Sequence, residues 1–356
     1  ATTEIYTLSL HDALPIFDKY QYLSKQDRAF MTRLVDGTIE YMLQLDYIID
    51  SFSKTKVRKM KPFIRNLLRM SVYQIKYMDA VPDSAVCNEA VKLAKRHKFA
   101  QLSGFVNGVL RNIARNIDLV QFDTLSIRYS MPQWIVDRFV SAYGEKKAEE
   151  IFKAFHNKST ISIRTNLTRC TPDELRAKLE AEGVTVTAVD ELDYAFVISG
   201  FDYLNGLQSF RDGLFYVQDI SSMLVAQTAA PKKGDYVIDV CAAPGGKSTH
   251  IAELLQGSGH VLARDLTDNK VDMIEENIER HGLNNMSAEV WDATVPDADS
   301  AGKADILICD LPCSGLGVLG RKKDIRYKMT PESVDELAAL QRQILDTVHT
   351  YVKTNG

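Results

Sequence analysis

From residue 24 to 115 apolar side chains recur at three- and four-residue intervals, the period of an amphipathic helix. Phe30, Leu34, Ile39, Met42 and Leu43 approximate one stripe. Phe63, Leu67, Met70, Tyr73, Ile75 and Tyr77 belong to another helix begun near Pro62, where proline costs no helical N–H. Val81-Pro82-Asp83-Ser84 breaks that helix, and stretches 85–95 and 104–113 complete an all-helical bundle with Asn88, Lys92, Asn107 and Arg111 on polar faces. A connector over 119–155 turns at Tyr129-Ser130-Met131-Pro132 and predicts two short helices, 134–143 and 145–155.

Beyond residue 160 the period changes. Stretches 161–165, 172–181, 184–188 and 196–198 read as strand, helix, strand, strand, a small α/β module whose most polar strand end is Arg164-Thr165-Asn166. Residues 215–230 lead into a further domain, with Ser221 or Ser222 the expected cap of a helix. An apolar run at 236–240 then enters a Pro/Gly turn and a helix over 247–255, followed by strands at 260–263, 288–291 and 305–309. Their ends carry Cys241, Asp265, Asp292 and Asp310. This alternation predicts a doubly wound parallel sheet, in which ligands bind outside the carboxyl ends of the strands.

A Walker loop does not fit the turn, because Cys241 stands where its first glycine would be, and G-x-G-x-x-G is absent. A ligand without a triphosphate, or a purely structural glycine turn, remains. The segment Cys241-Ala242-Ala243-Pro244-Gly245-Gly246-Lys247-Ser248-Thr249-His250, with Asp265, Asp292 and Asp310-Leu311-Pro312-Cys313-Ser314-Gly315, resembles the Sun/Fmu family of 16S ribosomal RNA cytosine-C5 methyltransferases. The resemblance runs from about residue 20 to the end. It implies S-adenosylmethionine as cofactor, 16S ribosomal RNA as partner, a NusB-like RNA-binding domain at 18–120, an RNA-recognition-like module with its connector at 121–214, and a Rossmann-like methyltransferase domain at 215–356 lacking its last strands. It further implies cofactor contacts from Cys241, Ala242, Ala243, Pro244, Gly245, Gly246, Lys247, Asp265, Asp292 and Asp310.

An acid at the end of the second strand has acceptor sites for both ribose hydroxyls, which suits Asp265; Asp292 is placed for the adenine edge. Either could instead cap a turn. Cytosine C5 is a poor nucleophile, and thiolate addition at C6 makes it enamine-like. Asp310 suits stabilisation of the ring near N3 if it carries or shares a proton. Amino-group methyltransferases commonly end this motif in an aromatic residue, whereas here it ends in Cys313, favouring carbon methylation. In the family resembled, a second cysteine in a Thr-Cys motif attacks and the Pro-Cys cysteine, here Cys313, aids product release. That nucleophile is expected beyond residue 356, so these residues alone are expected to bind cofactor without transferring methyl groups. A non-catalytic RNA-binding factor with a retained cofactor pocket is the rival.

Composition narrows the class. With 45% hydrophobic and 25% charged residues the chain has material for real cores. No apolar run reaches membrane-spanning length and no signal peptide opens it, so a cytoplasmic protein, monomeric and without membrane contact, is expected. Five cysteines without a CxxC pair point to reduced thiols and no metal. A net charge of −4 argues against indiscriminate nucleic-acid binding. Two local basic runs stand out: Lys54, Lys56, Arg58, Lys59, Lys61, Arg65 and Arg69, and Lys92, Lys95, Arg96 and Lys98. Each could be an RNA footprint or a solvated face. Residues 6–16 back-translate to a sequence resembling a common sequencing-library adapter; residues 1–17 are therefore read as an artefactual leader and set aside.

Overall fold

The computed structural model describes residues 22–157 and 160–354. The segment read as an artefactual leader lies outside them. The chain divides into two compact units, one formed by the helical front together with Ser314–Pro331, the other by the two sheets and the last helix.

In the first unit, five helices follow the apolar stripes: α1 (Lys25–Glu40), α2 (Met42–Phe52), α3 (Pro62–Tyr77), α4 (Asp83–Arg96) and α5 (Ser103–Asn116). The Ser24 side chain accepts from the Asp27 N–H to cap α1, and Pro62 opens α3. Leu45, Ile49, Ile64, Leu68, Val72, Leu110 and Ile113 are buried in one core. Of the stripe residues, Leu34, Ile39 and Met42 are buried, whereas Phe30 is exposed. Helices α6 (Gln133–Tyr143) and α7 (Glu145–Phe155) follow the connector. The segment Ser314–Pro331 belongs to this unit although it comes late in sequence. Its Arg326 is wholly buried and donates to the carbonyls of Glu40 and Ser130, both at 3.4 Å, while Lys323 pairs with Glu40 at 2.6 Å.

The second unit holds two sheets. The antiparallel one has the order β2 (Thr185–Val189), β3 (Leu192–Ser199), β1 (Ile161–Thr165), β4 (Phe215–Val217), with helix α8 (Pro172–Ala181) started by a Thr171/Glu174 capping box. Phe215, read above as the start of the lead-in to the next domain, pairs instead with Thr165 in this sheet. The following helix α9 (Ile220–Ala229) has Asp219 at its N-cap, not Ser221 or Ser222, because it begins one residue before the first of them.

The parallel sheet has the order β7 (Met286–Val290), β6 (His260–Asp265), β5 (Tyr236–Asp239), β8 (Ile306–Ile308). Successive residues of β5 enter opposite layers: Val237 packs with Ile251, Val261 and Ile274, and Ile238 with Ile344, Val348 and Tyr351. Helices α10 (Gly246–Leu254), α11 (Asp268–His281) and α12 (Pro331–Val348) supply those layers. Both sheet faces are therefore covered, and the strand ends are left as the open crevice.

Candidate active site

The turn after β5 is built by backbone constraint. Gly245 has φ +99°, a conformation that a side chain disfavours, and it caps α10. A Cβ on Gly246 would lie 3.2 Å from the Tyr216 ring, which also donates from its hydroxyl to the Pro244 carbonyl. Ala242 N–H donates to the Arg264 carbonyl at 2.8 Å, tying the turn to β6.

Sequence reasoning did not single out Asp239, the last residue of β5 and almost wholly buried. Its carboxylate accepts from the Ser248 hydroxyl at 2.6 Å and the Cys241 N–H at 3.4 Å, so it holds the turn from beneath. Burial pushes its pKa up to about 6, against the opposing hydrogen bond from Ser248. The available signal was an acid closing an otherwise apolar strand run.

Asp265 ends β6, buried, where its oxygens accept from the Ala243 N–H at 2.9 Å, the Leu266 N–H at 2.8 Å and the Lys270 ammonium at 2.8 Å. A carboxylate offers about four acceptor sites, so three are in use. Lys270 is half-exposed, making it the donor that can be displaced. Asp292 is exposed, and one of its oxygens accepts both the Thr294 N–H and hydroxyl, at 2.9 and 2.7 Å. The Thr294 hydroxyl and N–H hold its carboxyl below the usual range. Turn capping, the alternative weighed in the sequence, is thus realised at Asp292, with its second oxygen still available.

Lys247, at the start of α10, forms an ion pair with Asp310 just beyond β8. Asp310 and Lys247 thus stand together between the glycine turn and the Asp-Leu-Pro-Cys segment. Cys313 is exposed, and the Pro312 carbonyl before it accepts from Gln341 of α12 at 2.7 Å. Burial, then Asp265 and Asp239, push Cys241 up to about 12; burial and Asp239 push Cys309 up to about 11. Neither is suited to act as a thiolate.

The donors present suit a nucleoside-like cofactor. The turn has two glycines, one at positive φ, and an acid with multiple acceptor sites stands at the second strand end. Its lysine is committed to Asp310 rather than to a phosphate.

Arg164-Thr165-Asn166, the most polar strand end of the module, faces inward. All three are buried, and Arg164 donates to Glu253 from both Nε and Nη2, at 3.2 and 2.8 Å, and to the Gly246 carbonyl at 3.0 Å. This strand end fastens the antiparallel sheet to α10. The first basic run faces inward in part: Arg65 and Arg69 are buried, and Arg69 forms a two-pronged pair with Asp46, whereas Lys54, Lys56, Arg58, Lys59 and Lys61 are exposed. The second run, Lys92, Lys95, Arg96 and Lys98, is exposed throughout.

Comparison with known proteins now bears on this geometry. Residues 226–356 match the family described as 16S rRNA methyltransferase RsmB/F, residues 4–115 the NusB family, and residues 131–201 the RsmF/B-like ferredoxin-like domain. The chain is 38% identical over 347 residues to the "Probable ribosomal RNA small subunit methyltransferase B" of Bacillus subtilis (strain 168), covering 95% of this chain and 77% of that protein. The chain belongs to the 16S rRNA methyltransferase RsmB/F family. A Proteus mirabilis relative, "Ribosomal RNA small subunit methyltransferase B", is 31% identical over 98% of this chain and 82% of its own length. The RsmB/F member is similar in fold to the crystal structure of PH0851, with a TM-score of 0.81 at 23% identity over 99% of this chain and 80% of that one. It is also similar to NSun6 from Pyrococcus horikoshii with SFG, with a TM-score of 0.56 at 22% identity over 63% of this chain and 81% of that one. The NusB-like bundle and the parallel-sheet methyltransferase domain are therefore present as expected, and the small α/β module is the ferredoxin-like antiparallel sheet. Among the described residues no helix is long and apolar enough to cross a membrane, and no cluster of His, Cys, Asp and Glu could hold a metal.

Proposed function

We propose that this protein binds S-adenosylmethionine and methylates cytosine C5 in 16S ribosomal RNA, as a monomer in the cytoplasm. The observation that carries the reading is the Lys247–Asp310 pair, which joins the glycine turn to the Asp-Leu-Pro-Cys segment. Cofactor-cradling and base-processing groups thereby share one crevice. The backbone of 241–246 and the carboxylates of Asp265 and Asp292 would hold the cofactor, which supplies an electrophilic methyl group when bound.

The chain's own residues act on the base. Lys247 and Asp310 together would supply the partner that charge developing on the ring needs. A thiolate adds to C6, C5 takes the methyl group, a base removes the C5 proton, and the thiolate leaves. Cys313 is assigned to that last release, and the attacking thiol to a cysteine outside these 356 residues. Supporting this, Cys87 and Cys170 are buried and Cys241 and Cys309 are held as thiols.

The test uses labelled cofactor and undermodified 16S RNA, with the chain as given and with the chain extended by its downstream reading frame. Methyl transfer is expected from the extended chain, and its Cys313→Ala form should accumulate a protein–RNA adduct. Robust turnover by the 356 residues, abolished by Cys313→Ala, would make Cys313 the nucleophile instead.

A further inference from the structure

The carbonyl of Pro244, inside the glycine turn, takes its hydrogen bonds from side chains of two other elements of the second unit. Asn277, in α11, donates to it from Nδ2 at 2.9 Å, and Tyr216, in β4, donates from its hydroxyl at 3.2 Å. The neighbouring carbonyls are met locally: the Gly245 N–H donates to Ala242 at 2.6 Å and the Thr249 N–H to Gly245 at 2.8 Å. Pro244 is thus a point at which α11 and the antiparallel sheet together take hold of the turn.

Asn277 fits this place in one orientation only. Its second Nδ2 hydrogen goes to the Met273 carbonyl at 2.9 Å, and its Oδ1 accepts from the Arg280 guanidinium. Carbonyls only accept and a guanidinium only donates, so exchanging the two ends of the amide would break all three bonds. Arg280 is held in its turn, with the guanidinium carbon 4.3 Å from the centre of the Phe210 ring and Nη1 3.5 Å from the Phe215 carbonyl. Burial pushes the Arg280 pKa down, opposed by Tyr216, and no carboxylate among the described residues pairs with it.

The same elements form a wall behind the turn. A Cβ on Gly245 would lie 3.4 Å from Ile274 of α11, and one on Gly246 would lie 3.2 Å from the Tyr216 ring. That ring is buried. A backbone pressed against a packed wall and hydrogen-bonded to it is ordered before any ligand arrives, so binding does not bear the cost of ordering it.

We propose that Asn277 and Tyr216 are positioning residues: acting through the Pro244 carbonyl, they set the conformation of the glycine turn and thereby its affinity for the cofactor. The cofactor half of this statement rests on the function proposed above; the hold on the turn does not. The chemistry at Asn277 separates the two roles that such a residue can play. Aspartate there keeps an acceptor for Arg280 and gives that guanidinium an acid partner, but turns an oxygen toward the Pro244 and Met273 carbonyls, where acceptors repel. The lock between α11 and Arg280 is retained while the hold on Pro244 is lost.

The experiment compares the parent chain with Asn277→Asp and with Tyr216→Phe, which keeps the ring against Gly246 and removes the hydroxyl alone. Amide hydrogen exchange is followed without ligand at Gly245 and Thr249 in the turn and at Val237 and Val261 in the strands, and S-adenosylhomocysteine affinity is measured by calorimetry. Exchange at the two turn amides should quicken about tenfold in Asn277→Asp, and by a smaller factor in Tyr216→Phe, while the strand amides keep the parent's rates. The affinity should fall about tenfold in Asn277→Asp. Should that variant fail to fold, Tyr216→Phe carries the same two readouts. Unchanged exchange at Gly245 and Thr249 overturns the proposal, as does an equal quickening at the strand amides, which would make the residues merely structural. A loosened turn with unchanged affinity overturns it as well. Failure of the parent to bind S-adenosylhomocysteine counts against the cofactor reading, and the exchange rates still decide whether Asn277 and Tyr216 hold the turn.

Discussion

Asp239 and His250 pull the stability of the parallel-sheet domain in opposite directions as the medium is acidified. Asp239 is raised from 3.8 to about 6, so the folded state binds its proton first and gains stability as pH falls from about 6 toward 4. His250 is lowered from 6.5 to about 3, so the unfolded state binds its proton first and stability is lost as pH falls through that interval. Each slope is at most about 1.4 kcal/mol per pH unit, and between about 4 and 6 they largely cancel. Asp239→Asn keeps an acceptor for the Cys241 N–H and removes a buried charge. It should be at least as stable as the parent at pH 7.5, yet lose stability more steeply below pH 6, as read from urea midpoints across pH. Superimposable pH curves would exclude this role for Asp239. At Asp265 the expected loss is in ligand binding: Asp265→Ala should weaken S-adenosylhomocysteine by about 1.5–3 kcal/mol, the worth of charge-assisted hydrogen bonds. Calorimetry decides it, and an unchanged affinity would remove Asp265 from the crevice.

At the scale of elements, periodicity was a good guide wherever an element covers its own apolar face. The expected helix over 145–155 coincides with α7, and the four parallel strands lie within a few residues of their expected places. The partners of polar residues that lie far apart in sequence were not legible. Arg164 looks like a polar strand end because Glu253, which neutralises it, is 89 residues away. The three residues of β4 are too few to show alternation, and only pairing with β1 reveals them as a strand. Removing Arg164 leaves the Glu253 charge buried, so Arg164→Met should cost about 3–5 kcal/mol, and adding Glu253→Gln should restore part of that. Additive losses in denaturant titrations would show that the two do not act as a pair. The exposed part of the first basic run can be tested as one surface. Replacing Lys56, Arg58, Lys59 and Lys61 by glutamine should weaken binding of single-stranded RNA and reduce the salt slope by about 3, from roughly 0.7 per phosphate contact. A slope equal to the parent's would leave the run as a solvated face.

For the molecule as a whole, the motifs of the crevice were legible because each lies within a few consecutive residues. The membership of Ser314–Pro331 in the helical unit was not. It depends on Arg326 and Tyr327 meeting the Glu40 carbonyl across sequence separations of 286 and 287 residues. Such contacts carry a consequence for synthesis. A chain made from its amino end can pack α1 to α5 early, but the Glu40 carbonyl and the Ser130 carbonyl must wait for the Arg326 side chain until nearly all of the second unit has been translated. The unit that begins folding first is thus completed only after most of the other has been made. Until then the nascent protein keeps an unfilled seat on its helical front, which ties the quality of the finished bundle to successful translation past β8 and the segment after it.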